Sequence, residues 1–415
     1  MHLPPALRHR RFTLLWAGLF ISIAGSQMQF WTLLWHIREL TDQPIAVSGI
    51  GLARFLPILA FALIGGLFAD RYDRRKIMLT TQSVQALVAL ALGLLTLTGQ
   101  IRLGWIYLLT AVQAVAISFD LPARQSIIPN LLPREDLPSA FSMTSIAADL
   151  GAIIGPALSG LAIAGMGLFS VYLINAASFL AVIAALLAIG PVAQQAARRA
   201  THNGLRARVG AGLLDIRAGW RFILGQPVIL GSMILDFFAT FFSSANTLLP
   251  FIARDVLKVG VQQYGWLSAG QSIGAVGAAL VISQRARLRR QGPLLLGAVV
   301  VFGLATVLFG LSRSFWLTLA ALILIGAADS VSTILRNTIR QIQTPDELRG
   351  RMISINQIFF QGGPQLGEVE SGLVAQAFGP AAAIITGGLG CVLAAGLVAR
   401  RWPQLRTYDG GEEAG

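Results

Sequence analysis

Residues 65–76 read Gly65-Gly66-Leu67-Phe68-Ala69-Asp70-Arg71-Tyr72-Asp73-Arg74-Arg75-Lys76. Six charged side chains crowd into its last seven positions, and long apolar runs lie on either side. The run before it, 45–69, holds one charged residue, Arg54; the run after it, 77–99, holds none. Each run exceeds the ~20 residues that a helix rising 1.5 Å per residue needs to cross a bilayer core. A short, strongly cationic hinge between two such runs is the turn of a transmembrane hairpin, and cations of this kind collect on the cytoplasmic side.

The rest of the chain repeats this pattern. Of 415 residues, 55% are AVILMFWYC and 12% are charged, against roughly 25% charged in a soluble domain; mean hydropathy is +0.68. So few charges cannot cover a soluble protein of this size, and the chain reads as an all-α polytopic membrane protein. Its net charge of +13 does not mark a nucleic-acid binder, because the basic residues sit in short clusters between apolar runs rather than on one surface with interleaved aromatics. The enzyme classes find no support. His2, His9, His36 and His202 lie at termini, loops or span ends, no phosphate-cradling GxxxxGK[ST] loop occurs, and the single cysteine, Cys391, has neither a disulfide partner nor a Cys/His cluster. No metal and no cofactor is expected. The N-terminal MHLPPALRHRRF enters an apolar run without a small-residue cleavage site, so the first run is read as a retained span.

Twelve spans are predicted, near 12–36, 45–69, 77–99, 103–122, 138–165, 168–190, 226–252, 262–283, 293–312, 314–335, 350–377 and 380–399. The connectors Gly165–Gly167, Ser312–Ser314 and Phe378–Gly379 are short enough to force antiparallel hairpins. With that alternation, 26 of the 32 Lys and Arg residues fall on one side, five (Arg38, Arg102, Arg254, Lys258, Arg313) on the other, and Arg54 within a span. Arg336 and Arg340 are counted here with the majority side. The asymmetry predicts that both termini are cytoplasmic, in a bacterial-type inner membrane.

The connector 191–225 divides the chain into an N-terminal six-helix bundle, 1–190, and a C-terminal bundle with a short tail, 226–415. Its first part reads as a flexible linker. Its second part places Val209, Leu213, Ile216, Trp220 and Ile223 on one stripe and Arg206, Arg217 and Arg221 on another face, an amphipathic helix for the inner membrane surface. The halves are alike. Gly155, Ser159 and Gly160 correspond to Gly367, Ser371 and Gly372 at a shift of 212, and Pro133-Arg134-Glu135-Asp136-Leu137 is echoed by Pro345-Asp346-Glu347-Leu348. A shift of half the chain means two six-helix bundles in parallel repeat, an architecture that rocks two bundles about a site near the midplane.

On these residues a family resemblance rests. The 65–76 hinge resembles the signature loop of the major facilitator superfamily, G-x3-D-R-x-G-R-R/K, with Asp73 where the family has Gly. The resemblance implies a cytoplasmic gate formed by Gly66, Asp70, Arg71, Arg74 and Arg75; at shift 212 Asp70 falls on Ile282, so the second copy lacks the acid. Span five carries Gly151, Gly155, Pro156 and Gly160, similar to the G-x3-G-P-x2-G-G motif of antiporters, with Ser159 in place of one Gly. Small residues at this spacing also serve plain helix packing. Phe55-Leu56-Pro57, Pro122-Ala123-Arg124-Gln125, Leu248 to Asp255 and Gly350-Arg351-Met352 resemble the enterobactin-exporter and macrolide-efflux (drug:proton antiporter) branch.

A charge at a span centre costs roughly 2.5 kcal/mol or more, yet five acids lie well inside spans: Asp149, Asp236, Asp329, Glu368 and Glu370. These are the proton-coupling candidates, each weighed against a structural role. Asp120 lies near the inner end of span four. Asp236 is the preferred proton site, about 15 Å into its span at 1.5 Å per residue. Glu368 and Glu370 stand 200° apart on the helix, so one of them meets the cavity. Gln27, Trp31, Gln113, Asn246, Gln357 and Gln361 are the cavity-lining candidates. The sequence thus predicts a secondary active transporter, functional as a monomer, that exports a hydrophobic or amphipathic small molecule of the drug or siderophore class by proton antiport. Its partners are substrate, protons and the bilayer. A non-coupled facilitator or an uptake symporter of the same fold is the alternative.

Overall fold

The computed structural model describes residues 4–192, 220–284 and 290–410. Twelve long helices account for most of them. In the first half these are α1 (Arg10–Leu40), α2 (Ile45–Arg71), α3 (Arg74–Leu97), α4 (Leu103–Ile127), α5 (Leu137–Met166) and α6 (Leu168–Ile189). The second half has α7 (Pro227–Ser243), α8 (Val261–Ser283), α9 (Gln291–Leu311), α10 (Phe315–Gln343), α11 (Asp346–Phe378) and α12 (Pro380–Arg401), followed by a short terminal α13 (Pro403–Thr407). Among the described residues, nine helices are long and apolar enough to cross a membrane. The described residues contain no strand.

The helix pairings carry the repeat. In the first half α1 packs on α5 and α6, and α3 packs on α4 and α6. In the second, α7 packs on α11 and α12, and α9 on α10 and α12, which is the first set with six added to every label. The turns repeat as well. Gly167, between α5 and α6, has φ 87°, and Gly379, between α11 and α12, has φ 89°; the two are 212 positions apart. Each N–H closes a bond to the carbonyl four residues back, Ile163 or Ala375. A side chain at such a φ is strained, so glycine allows these one-residue hairpins.

The chain resolves into two compact units. One comprises 1–42, 52–202 and 260–269, the other 43–51, 203–259 and 270–415. The first turns of α2 therefore belong with the second unit, and those of α8 with the first. Within the second unit Ser48 Oγ donates to the Val369 carbonyl (3.0 Å). Within the first, Gly160 and Gly265 meet so closely that a Cβ on Gly265 would lie 3.0 Å from the Gly160 Cα.

Two predicted spans differ from the structure. The seventh, expected as one helix over 226–252, is α-helical only to Ser243; a 3-10 turn (Ser244–Leu248), a short helical turn (Leu249–Phe251) and a π-helix (Ile252–Val256) follow. Pro250 supplies no N–H to the helical ladder there. The tenth, expected to end at 335, continues to Gln343 and takes Arg336 and Arg340 into the helix. Most of the connector helix, including Val209, Leu213 and Ile216, lies outside the described residues. Its end is helical from Trp220, with Ile223 fully buried against Ile229, Met233 and Met352.

Candidate functional site

The second unit buries an ion cluster. Asp236 lies nine residues into α7, about 14 Å along it, and is 2% exposed. Its Oδ2 accepts from Arg340 Nη2 at 2.8 Å, and its Oδ1 stands 3.1 Å from Arg336 Nη2. Both arginines come from α10 and are 2% and 3% exposed. Arg340 Nη1 also donates to Asn356 Oδ1 of α11, so the cluster ties three helices together. Arg336 Nη2 donates in addition to Thr333 Oγ1 (2.8 Å) and lies 3.8 Å from Asp329 Oδ1.

The geometry follows from helix periodicity. Asp329, Arg336 and Arg340 are spaced by seven and four residues, so at 100° per residue they share one stripe of α10. Helical side chains lean toward the N-terminus, which brings the long Arg336 side chain back to Asp329 despite two turns of separation. The two carboxylates differ in access: the Asp329 side chain is 52% exposed, that of Asp236 only 2%. One guanidinium is therefore shared between a buried and an accessible acid.

Arg336 and Arg340 were assigned above to the cytoplasmic charge tally, and the structure corrects that. They are buried partners of Asp236, and removing them leaves 24 cations on the majority side against five, so the asymmetry survives. Positive charge alone gave no sign of this. The signal that was available is the seven-residue spacing from Asp329 to Arg336.

The first unit treats its charges differently. Asp120, 1% exposed, accepts from Thr81 Oγ1 (2.8 Å) and Gln82 Nε2 (2.9 Å) and is paired with Arg124 one turn on. Arg124 and Arg336 are again 212 positions apart, but the repeat places Ser332 opposite Asp120, and the acid for Arg336 comes from α7. The centre of this unit is neutral. Gln29 Nε2 donates to Gln113 Oε1 (2.9 Å), and Asn175 Nδ2 donates to Gln29 Oε1 (2.7 Å). Asn175, fully buried, was not among the sequence candidates because a lone Asn in an apolar run carries no pattern.

The remaining candidates are dispersed. Asp149 on α5 is exposed. Glu368 is 5% exposed and packs where α11 meets the start of α2; a Cβ on Gly51 would lie 2.9 Å from the Glu368 Cβ. Glu370 is half-buried. Its stripe-mates Gly363 and Gly367 pack on α7, against Thr240 and the Phe241 carbonyl. Gln27 packs on Gly155, and the Trp31 carbonyl accepts from Tyr264 Oη (2.9 Å). Asn246 lies in the 3-10 turn after α7. The side chains of Asp70, Gln357 and Gln361 lie outside the described residues.

The gate candidates of α2 and α3 hold helix ends. Arg74 Nε donates to the Ala69 carbonyl (3.2 Å) and its Nη1 to Ser126 (3.1 Å), while Arg75 Nε donates to Leu186 (2.7 Å). These carbonyls lie at or near the C-terminal turns of α2, α4 and α6, where backbone acceptors lack helical partners and the helix dipole favours cations. Asp73, the departure from the loop pattern, caps α3 by accepting from the Arg75 and Lys76 N–H groups. Arg71 is exposed, its guanidinium 5.8 Å from the Tyr72 ring, and nothing crowds Gly66. In α5, Gly151 and Gly155 admit α1, with Ile23, Ala24 and Gln27 in contact, and Gly160 admits α8; the Pro156 carbonyl faces Gly265. Arg54 lies with its guanidinium 5.0 Å from the Phe30 ring. Among the described residues, no group of three or more His, Cys, Asp or Glu is arranged to hold a metal ion.

Comparison with known proteins agrees in kind over the whole chain. A family model described as transmembrane secretion effector matches residues 3–413. The enterobactin exporter EntS of Escherichia coli is 28% identical over 404 residues, covering 96% of this chain and 94% of its own; the Escherichia fergusonii protein of the same name matches equally. Among solved structures, the nucleoside transporter NupG superposes with a TM-score of 0.69 at 15% identity, covering 96% of this chain and 99% of its own. A bacterial homologue of the human lysosomal transporter Spinster, in an inward-facing, unoccupied conformation, gives 0.71 at 14%, over 98% and 99%. A bacterial homologue of ferroportin gives 0.68 at 16%, over 95% and 98%.

Proposed function

Because the chain belongs to the transmembrane secretion effector family of major facilitator transporters, we propose that this secondary transporter exports a hydrophobic or amphipathic small molecule, of the drug or siderophore class, in exchange for protons. Export is favoured by the likeness to an enterobactin exporter along nearly the whole chain. Proton coupling rests on one observation: the second unit buries Asp236 and two arginines in an apolar bundle. Burying ions costs several kcal/mol each before pairing returns it; among its described residues the first unit buries a single acid, Asp120, against the partly exposed Arg124, and it joins α1, α4 and α6 through neutral amides. A scaffold or passive pore has no use for the more expensive arrangement.

In this reading the two units are the bodies that alternate access, and the hinge from Gly66 to Arg75 gates the cytoplasmic side. Both termini are cytoplasmic, as the 24-to-5 cation asymmetry favours, and one chain with both halves works as a monomer. Each proton entering down 100 mV supplies about 2.3 kcal/mol. Substrate-triggered proton release from acid-loaded proteoliposomes tests the reading, with a panel of amphipathic drugs and catecholate siderophores. Proton movement on addition of one panel member is the expected result. Substrate counterflow that moves no protons would make the protein a facilitator.

A further inference from the structure

Asp329 and Asp236 share one guanidinium, and their surroundings differ in a way that separates their roles. Asp236 is enclosed, with Arg340 at 2.8 Å and Arg336 at 3.1 Å. Asp329 holds Arg336 loosely, at 3.8 Å, and its side chain is half exposed. That exposure is not toward lipid. The large exposed apolar residues of α10, Trp316, Leu317, Leu324 and Ile342, stand about 120–140° from Asp329 around the helix at 100° per residue, so Asp329 lies on a different face from the lipid stripe. Arg336 is also only partly engaged: its Nη2 makes every contact described above, while Nε and Nη1, both buried, have no hydrogen-bond partner among the described residues. A guanidinium held through one nitrogen has a second bonding position within reach, and an accessible carboxylate lies beside it.

Charge counting gives this arrangement two states. With both carboxylates ionised, the four side chains sum to zero. A proton from water on Asp329 forms one O–H bond, breaks none within the protein, and leaves the cluster at +1, with Arg336 committed to Asp236. We propose that Asp329 is the residue that exchanges the proton with solvent, and that Arg336 is the positioning residue that passes the change to the buried Asp236–Arg340 pair. This rests on the proton-coupled reading above and reassigns its site: Asp236 is the anchor, Asp329 the carrier. The titratable or charged groups facing Asp329 are Arg336 on its own helix, Asp236 on α7 and the buried Cys391 on α12; Arg340 stands on the other side of Asp236 and pairs with that acid. The α8 and α9 sequences contribute no charged side chain.

Infrared difference spectra of the purified full chain in nanodiscs, recorded across a pH titration, test the assignment without substrate. The wild type shows a protonated-carboxyl band that appears and disappears with pH. Asp329→Asn loses that band, and Asp236→Asn keeps it. Because Asp236→Asn also destabilises the unit, the Asp236→Asn/Arg340→Gln pair is measured beside it, and thermal melts confirm that each variant is folded. Arg336→Gln alters the band, and Arg336→Lys, which restores the charge, returns it toward wild type. A band that survives Asp329→Asn, or vanishes with Asp236→Asn in folded protein, overturns the proposal. Proteoliposome flux with the same variants separates the two readings. Wild type that shows the Asp329 band yet moves no protons refutes proton-coupled export and leaves the assignment of the proton to Asp329 standing.

Discussion

Replacing Asp236 by Asn removes one charge from a site that holds three. The carboxylate and both guanidiniums are at most 3% exposed, so solvent cannot take over when the acid is lost. Removing one partner of a buried ion pair costs about 3–5 kcal/mol, because the remaining charge stays buried without compensation. The Asn carbonyl still accepts a hydrogen bond from Arg340, which returns roughly 1 kcal/mol. The net loss is then about 2–4 kcal/mol, or roughly 30- to 900-fold in the folded-to-unfolded ratio at 1.36 kcal/mol per decade. Equilibrium unfolding in mixed SDS and dodecylmaltoside micelles measures it. A cycle with Arg340→Gln adds a second check: the double variant is less damaged than the two single losses added together, with a coupling of about 1 kcal/mol or more. A loss below about 0.5 kcal/mol for Asp236→Asn, or strict additivity in the cycle, would show that the cluster is not the closed ion network described above.

Three further outcomes follow from the packing. Gly274→Ala and Gly326→Ala each put a methyl group 1.8 Å from a backbone carbonyl of the facing helix, Ile323 and Gln271 respectively, so each lowers stability by about 1–3 kcal/mol, whereas Gly277→Ala, with nothing within 4 Å, leaves the SDS midpoint unchanged or slightly higher. Tyr264→Phe removes the bond to the Trp31 carbonyl and lowers stability by about 1 kcal/mol in the same assay. Cys391, fully buried, stays unlabelled by maleimide in the folded protein and reacts on unfolding; labelling at the rate of a free thiol would contradict its place in α12.

Much of the architecture was legible in the chain because a bilayer leaves few options. Every backbone polar group must be satisfied within the hydrocarbon, so apolar runs of this length are helices, and glycine turns at 167 and 379 close hairpins wherever the chain must reverse in one residue. The shift of 212 read from Gly155, Ser159 and Gly160 reappears in helix pairings, turn dihedrals and the matched arginines 124 and 336. The buried acids were also visible, since an acid in an apolar run stands out on composition alone.

Their partners were not visible. Arg336 and Arg340 look like any other inner-surface cations until α10 is seen to continue eight residues beyond its apolar stretch, and only packing against α7 and α11 makes that extension favourable. Linear hydropathy ends this span where Arg336 and Arg340 follow one another within a turn; ion pairs formed across helices remove the reason for ending there. In the same way, periodicity put Glu368 and Glu370 on opposite faces but could not say what either face meets, because that depends on a neighbour some 320 residues away, the turn of α2 around Gly51. The sequence determined the helices, their number and their repeat, which follow from local and periodic properties of the chain. The tertiary structure decided which charges neutralise one another, because side chains from distant helices must first be brought within about 3 Å.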